Sequence, residues 1–370
     1  MIVGIDGRSL AGGQAERGVA RYTGALTAAL AAAHPADRWR VLVAGRAPDA
    51  AADALFARGN VELGRRGSRR PRHLAAAVAG RPRLDRTLGG GLDVAWAPAP
   101  APLAVSPEVP LVLTLHDLSF LERPGDFTAY ERLWHRLARP GRLARRAAAV
   151  LADSRVTAQA AIVRWGLDPD RVTVVRPGVE RPAAAPDVAA ARARHGLDGR
   201  YLLFVGALEP RKAPDVLAAA YRRARARGLD AELAVVGEGR LDRLLDDLPG
   251  ARQLGRVAGR AELQALYAGA LALVMPSRHE GYGLPPLEAA ACGTPAVVSD
   301  LPAFRETLGD AALRVPPEDE PALAEALLAV AGDQELRARL AAAARTAVSE
   351  LTWERAAGEA YAVLRAVARS

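Results

Sequence analysis

Two glutamates, Glu280 and Glu288, stand eight positions apart in SRHEGYGLPPLEAAACGTP (277–295), where glycines and paired prolines rule out one continuous helix. Two chemistries suit such a pair. One is general acid/base cleavage of a glycoside, which needs carboxyl groups roughly 5–9.5 Å apart. The other is a clamp on a sugar donor, in which each carboxylate accepts hydrogen bonds from hydroxyls. Gly281 and Gly283 permit a tight turn and close approach of backbone to a ligand. Pro285 and Pro286 start a helix that Gly293 ends. The backbone N–H groups around Tyr282, Gly283 and Leu284 would then form an anion site, helped by the helix dipole. Eight residues span only about 12 Å even as an ideal helix, comparable to the distance from sugar to ribose across a diphosphate.

A second cluster lies upstream, in FVGALEPRKAPDVL (204–217). An apolar run ends at Val205-Gly206 and a helix begins near Pro214, so Arg211 and Lys212 fall in the loop between strand and helix. In open α/β sheets that end of the strands borders the ligand crevice. The chain uses arginine almost everywhere, and Lys212 is its one lysine. A lone lysine in such a chain suggests a site that needs a compact ammonium rather than a planar fork. A diphosphate clamp uses both kinds of cation, arginine bidentate and lysine as a point charge.

The elements that must position these groups read as α/β. In the first half, apolar strand candidates at 1–6, 40–45, 93–98, 111–117, 149–154 and 172–178 alternate with helical patterns at 18–33, 128–147 and 154–165. The pattern restarts with strands at 201–208, 231–237, 270–277, 295–300 and 312–317. Helices are expected at about 214–228, 260–269, 285–292, 320–331 and 333–349. RPGVERPAAAPD (176–187) suits a linker. We therefore expect two Rossmann-like domains, 1–180 and 181–350, with parallel sheets facing a cleft. A closing amphipathic helix (351–370), with Thr352 as its N-cap, is expected to return to the first domain.

Composition limits the functional classes. The chain has 370 residues, enough for about two cores. Its single cysteine, Cys292, allows no internal disulfide and suits a reducing compartment. The first residues lack a signal-peptide pattern and no apolar run reaches spanning length, so a cytoplasmic location is the expectation. Net charge is 50 − 42 = +8, but only 5% of residues are aromatic, which argues against stacking platforms for nucleic acid.

The segment EGYGLPPLEAAACGTPAVVSD, preceded by VGALEPRK and ALYAGALALVMPS (265–277), resembles the signature of the retaining GT-B glycosyltransferases of sequence family four. GVARYTGAL (18–26) and LTLHDLSFLERP (113–124) resemble that family's N-terminal motifs, so the resemblance covers nearly the whole chain. It implies that Arg211 and Lys212 bind the donor diphosphate, with Gly18 close to it and the backbone at Tyr282, Gly283 and Leu284 adding contacts. It further implies that Glu288 holds the ribose and Glu280 the transferred sugar, with His116 beside that sugar. Residues near Val236-Gly237 and Leu254–Arg256 are the expected base pocket, where no side chain distinguishes guanine from uracil. The blend of motifs most resembles bacterial mannosyltransferase-like members, which makes GDP-mannose the first donor to consider and a UDP-hexose or deoxyhexose donor the second. The expected acceptor is a carbohydrate, a lipid-linked sugar or a small molecule. Two positions depart from the family pattern: Ala213 stands where asparagine is common, and Tyr282 where phenylalanine is.

The family implies no metal and no other cofactor. The Asp-x-Asp in LDPDR (167–171) could mimic a metal motif, but Pro169 makes it read as a turn. A lone histidine at a strand end is more often structural than catalytic, and the resemblance supplies most of the case for His116. GRRGSRRPRH (64–73), with five arginines and a histidine, reads as a loop that is either simply solvated or contacts an acceptor or a membrane surface. A glycoside hydrolase, a nucleotide-sugar epimerase and a basic binding protein remain as rival readings.

Overall fold

The computed structural model describes residues 1–10, 18–44, 54–66, 80–257 and 259–369. The chain divides into two units, Met1–Gly178 with Leu351–Ser370, and Val179–Glu350, the first crossing between them falling inside the Pro/Ala-rich stretch. Each unit is built on one all-parallel sheet.

The first unit contains β1 (Ile2–Asp6), β2 (Arg38–Ala44), β3 (Val61–Arg66), β4 (Val94–Ala97), β5 (Leu111–Leu115), β6 (Ala149–Ala152) and β7 (Val172–Val174). Their order across the sheet is β3-β2-β1-β4-β5-β6-β7. The strands are apolar throughout because both faces are covered. Val112 of β5 belongs to the core under helices Gly18–Ala33 and Trp353–Arg369. Leu111, Leu113 and Leu115 face the opposite core with Leu143, Ala144 and Ala161. The last helix thus belongs to this unit, burying Ala356, Ala357, Ala360 and Leu364. Thr352 Oγ1 accepts from Arg355 N at 3.2 Å at its start.

The second unit contains β8 (Tyr201–Val205), β9 (Glu232–Val236), β10 (Ala251–Gly255), β11 (Leu273–Met275), β12 (Ala296–Ser299) and β13 (Ala312–Val315), in the order β10-β9-β8-β11-β12-β13. Strand order therefore reverses direction at β1/β4 in one sheet and at β8/β11 in the other.

Two expectations need correction, two elements were not expected, and one turn is as expected. The single helix at 128–147 is two, Ala129–Ala138 and Pro140–Arg146, because Arg139 adopts a left-handed conformation (φ 48°) before Pro140. Gly64–Arg66 closes β3 rather than opening a loop, while 67–73 lie outside the described residues. The polar edge strand β10 and the helix Pro302–Leu308 carry no apolar run long enough to announce them. Asp168 behaves as the turn reading requires, accepting from Asp170 N at 3.1 Å.

Candidate functional site

The second unit's reversal point carries the cluster. The loop leaving β8 forms a helical turn, Pro210–Lys212, and the loop leaving β11 carries Ser277 to Gly283. Arg278 N donates to Arg211 O at 2.8 Å, and the Arg278 guanidinium donates to Pro210 O at 2.7 Å. The two loops are therefore tied backbone to backbone. Arg278 also binds both oxygens of Asp215 (2.9 and 2.7 Å) and reaches Glu318 at 2.7 Å. It is a brace between loops, a role the sequence reading missed because an arginine beside a glutamate motif carries no distinguishing spacing.

Across this junction Lys212 Nζ donates to Glu280 Oε1 at 2.5 Å, and Ser277 Oγ donates to the same oxygen at 2.7 Å. Lys212 is 7% exposed and Glu280 9%. Burial works against the ionised carboxyl, but the charges of Lys212 and Arg211 and hydrogen bonds from Lys212 and Ser277 outweigh it and hold Glu280 below the usual carboxylate range. Arg211, with its Nε 3.7 Å from Glu209, is the more exposed cation of the pair.

Gly283 precedes the helix Leu284–Ala291 with φ 84°, and a Cβ there would lie 2.4 Å from the Phe304 ring. Only glycine meets both demands. Tyr282 is buried beside it. Because Pro285 and Pro286 have no N–H, the donors near this helix start come from Tyr282, Gly283 and Leu284. Glu288 is buried on the helix, its Oε2 accepting from Tyr267 OH at 3.0 Å; Thr294 Oγ1 donates to Tyr267 O at 2.6 Å. Tyr267 thus orients Glu288. Arg211, Lys212 and Glu280 meet at the junction, and Glu288 stands on the helix that follows.

The expected base-pocket residues lie at the ends of β9 and β10. Val236 is buried, and Gly237 N donates to Gly255 O at 2.8 Å. Leu254 is half-buried, while the exposed Arg256 pairs with Glu238 at 3.1 Å. Such an exposed pair contributes little to stability.

In the first unit, His116 lies just past the end of β5. Its Nδ1 meets Asp153 Oδ2 at 2.6 Å and its Nε2 meets Pro98 O at 2.8 Å. A carbonyl accepts and does not donate, so Nε2 carries a hydrogen, and the carboxylate holds a second on Nδ1. The ring of Tyr22 stands edge-on at 4.7 Å. The orienting carboxylate is Asp153 and not the neighbouring Asp117, which accepts from Ser119 N at 2.9 Å and Ser119 Oγ at 2.6 Å. Burial lowers the histidine's pKa, but Asp153, Asp117 and the Pro98 carbonyl together raise it above the ordinary value.

A raised folded-state pKa gives stabilisation that is complete below the unfolded value, about 6.5, and lost as pH rises through the folded value. His116→Ala should therefore cost about 2–3 kcal/mol in mildly acidic buffer and progressively less in alkaline buffer. Urea melts of both proteins across pH would show it. A cost independent of pH would refute the charged-imidazole assignment.

Gly18 opens the helix Gly18–Ala33, and a Cβ there meets no described atom within 4 Å. Packing among the described residues does not explain this glycine. Arg8, unmarked by the sequence reading, fastens the end of β1: its guanidinium takes both oxygens of Asp6 at 2.6 Å and donates to Pro102 O at 3.0 Å.

Comparison with known proteins bears on this arrangement. Residues 199–333 match the family model described as glycosyl transferases group 1, and residues 17–181 match glycosyltransferase family 4. A D-inositol 3-phosphate glycosyltransferase from Frankia alni is 36% identical over 287 residues, 70% of this chain and 69% of that protein. A phosphatidyl-myo-inositol mannosyltransferase from Mycolicibacterium smegmatis is 38% identical over 163 residues, 42% of each chain. Matched stretches span 52% to 69% of the first curated relatives' own length. Among solved structures, Anabaena HepE in complex with UDP-glucose aligns with a TM-score of 0.71 at 20% identity, covering 100% of this chain and 98% of that one. The paired parallel sheets and these matches place the chain in the GT-B glycosyltransferases of family four, and it is a glycosyltransferase.

Proposed function

We propose that the chain transfers a hexose from a nucleoside diphosphate to an acceptor hydroxyl, with retention of anomeric configuration. The observation that carries this reading is the buried Lys212–Glu280–Ser277 cluster at the β8/β11 reversal point. As the bond between sugar and diphosphate breaks, negative charge grows on the leaving group. Arg211, Lys212 and the N–H groups around Tyr282 to Leu284 supply fixed positive potential for it, and in this reading no metal ion takes part. Glu280 Oε1 is held by Lys212 and Ser277, which leaves Oε2 to accept from hydroxyls of the transferred sugar. Glu288, oriented by Tyr267, accepts from the ribose. Gly18 lets the diphosphate approach the start of its helix. His116 would reach the sugar by exchanging its Pro98 contact for a sugar hydroxyl. No protein nucleophile is assigned; attack on the face the diphosphate leaves, helped by the diphosphate's own oxygen, accounts for retention.

The first donor in this reading is GDP-mannose, which suits the mannosyltransferase relative. A UDP-hexose is the second, suggested by the UDP-sugar bound in the Anabaena neighbour. The acceptor belongs to polysaccharide, glycolipid or natural-product assembly, and the enzyme works in the cytoplasm. A thermal-shift panel tests the donor, since a ligand specific for the native state raises apparent stability by about 2.7 kcal/mol at a hundred times its Kd. GDP should raise the melting temperature more than UDP. The reverse order transfers the assignment to a UDP donor, and no response to either would overturn the diphosphate clamp.

A further inference from the structure

Among the described residues, three that are not glycine hold a left-handed backbone: Arg139, Ala213 and Glu318. Two of the three meet at one side chain. Ala213 (φ 52°) joins the turn Pro210–Lys212 to the helix Pro214–Ala226, directly after the lysine. Its Cβ makes that conformation unfavourable, and the proline that follows presses it toward extended backbone instead. It is also fully buried. Glu318 (φ 64°) lies in the loop between β13 and the helix Glu320–Gly332. Residues in such conformations persist only where their surroundings over-determine them.

The side chain they share is Arg278. Its Nη1 donates to Pro210 O at 2.7 Å, three residues before Ala213. Nη1 and Nη2 take both oxygens of Asp215, two residues after it, at 2.9 and 2.7 Å. The guanidinium therefore grips the chain on each side of the strained alanine. Nε reaches Glu318 Oε1 at 2.7 Å, and the backbone N donates to Arg211 O at 2.8 Å. Exposed ion pairs usually contribute little, and the arm to Glu318, whose side chain is 58% exposed, is of that kind. The arm to Asp215 differs, although Asp215 itself is half-exposed: the arginine side chain is only 13% exposed, and a forked pair fixes direction as well as distance. A lysine ammonium could make one of these contacts but not span them all.

We infer that Arg278 is a positioning residue: it holds the turn at Ala213 and so sets where the Lys212 ammonium stands against Glu280. Its guanidinium bonds all end on protein oxygens of the second unit, so it acts through the loop and not on the donor. This role rests on the proposed reading of Lys212 as a cation facing the leaving group, where a small displacement costs rate out of proportion to distance. Fixed charge aimed at a developing anion acts mainly in the transition state, so displacement should show in kcat before donor KM.

Steady-state kinetics of the full chain test this, read as nucleoside diphosphate released from GDP-mannose or UDP-glucose, with hydrolysis to water counting as turnover. Arg278→Gln should lower kcat about tenfold, leave donor KM within about twofold and lower the melting temperature by a few degrees. Asp215→Asn, a change at a half-exposed side chain, should give a smaller loss of the same kind. Ala213→Gly placed in the Arg278→Gln chain should recover most of kcat, because glycine takes the left-handed conformation without the clamp. Arg278→Gln combined with Lys212→Met should be no slower than Lys212→Met alone, since the arginine works through the lysine. Unchanged kcat in Arg278→Gln beside a slow Lys212→Met would leave the diphosphate reading standing and remove this role. Losses that multiply in the double variant, or a lowered melting temperature and kcat with no recovery by glycine, would overturn it in favour of structural support alone. Normal turnover in Lys212→Met would end both readings.

Discussion

Replacing Lys212 by methionine is expected to lower turnover by about 10²–10³-fold, the usual loss when one preorganised donor to a developing anion is removed. Methionine keeps most of the buried stem and removes only the ammonium. The change also strips Glu280 of its nearest positive charge, the largest influence opposing burial at that carboxyl. Glu280 should then titrate at higher pH, and the acid limb of the pH–rate profile should move up with it. The stability sign follows from the same pair. A carboxyl with a depressed folded-state pKa stabilises above its unfolded pKa and loses that contribution as pH falls through the folded value. The deficit of the variant should therefore be largest near neutrality, about 3 kcal/mol for a broken buried pair, and shrink in acid. Lys212→Arg should not rescue turnover, because a planar guanidinium does not fit a site that is 7% exposed. Normal turnover in the methionine variant would sink the diphosphate assignment.

Much of this frame is legible in the residues. The apolar runs of β1, β4, β5, β8, β11 and β12 announce strands buried on both faces, and the restart of the pattern after the Pro/Ala-rich stretch announces two sheets. The two strands that escaped, β3 and β10, occupy the same edge in their respective sheets. An edge strand is covered on fewer sides, so polar sequences such as VELGRR and ARQLG can serve there. In the candidate site, residue types marked Lys212, Glu280 and Glu288, and spacing placed each on its loop or helix. What they could not show is partnership. Nothing local says that Glu280 binds Lys212, 68 positions away, or that Tyr267 holds Glu288. His116 shows the same limit, since both of its ring partners come from other strand ends.

Gly237→Ala is expected to cost more than about 3 kcal/mol, through two independent faults. The residue sits at φ 134°, a conformation essentially confined to glycine. An added Cβ would also lie 2.0 Å from the carbonyl oxygen of Gly206. That neighbour is backbone, so no side-chain rotation relieves the clash. The contact is tight because the chain leaving β8 and the chain leaving β9 run in register: Gly206 N donates to Val236 O at 3.0 Å and Leu208 N to Glu238 O at 3.2 Å. The same segment then turns into Pro210–Lys212, so forcing it apart displaces the lysine as well as the expected base pocket. In a unit of this size the melting temperature should fall on the order of 10 °C, and surviving enzyme should show a raised donor KM. Gly18→Ala makes the contrast. With no described atom near its Cβ and no positive φ, it should leave stability within about 0.5 kcal/mol. Its donor KM should nevertheless rise if the diphosphate passes over that helix start. Equal loss of stability in both variants would mean that Gly18 is held by packing, and unchanged donor kinetics in Gly18→Ala would remove it from the site.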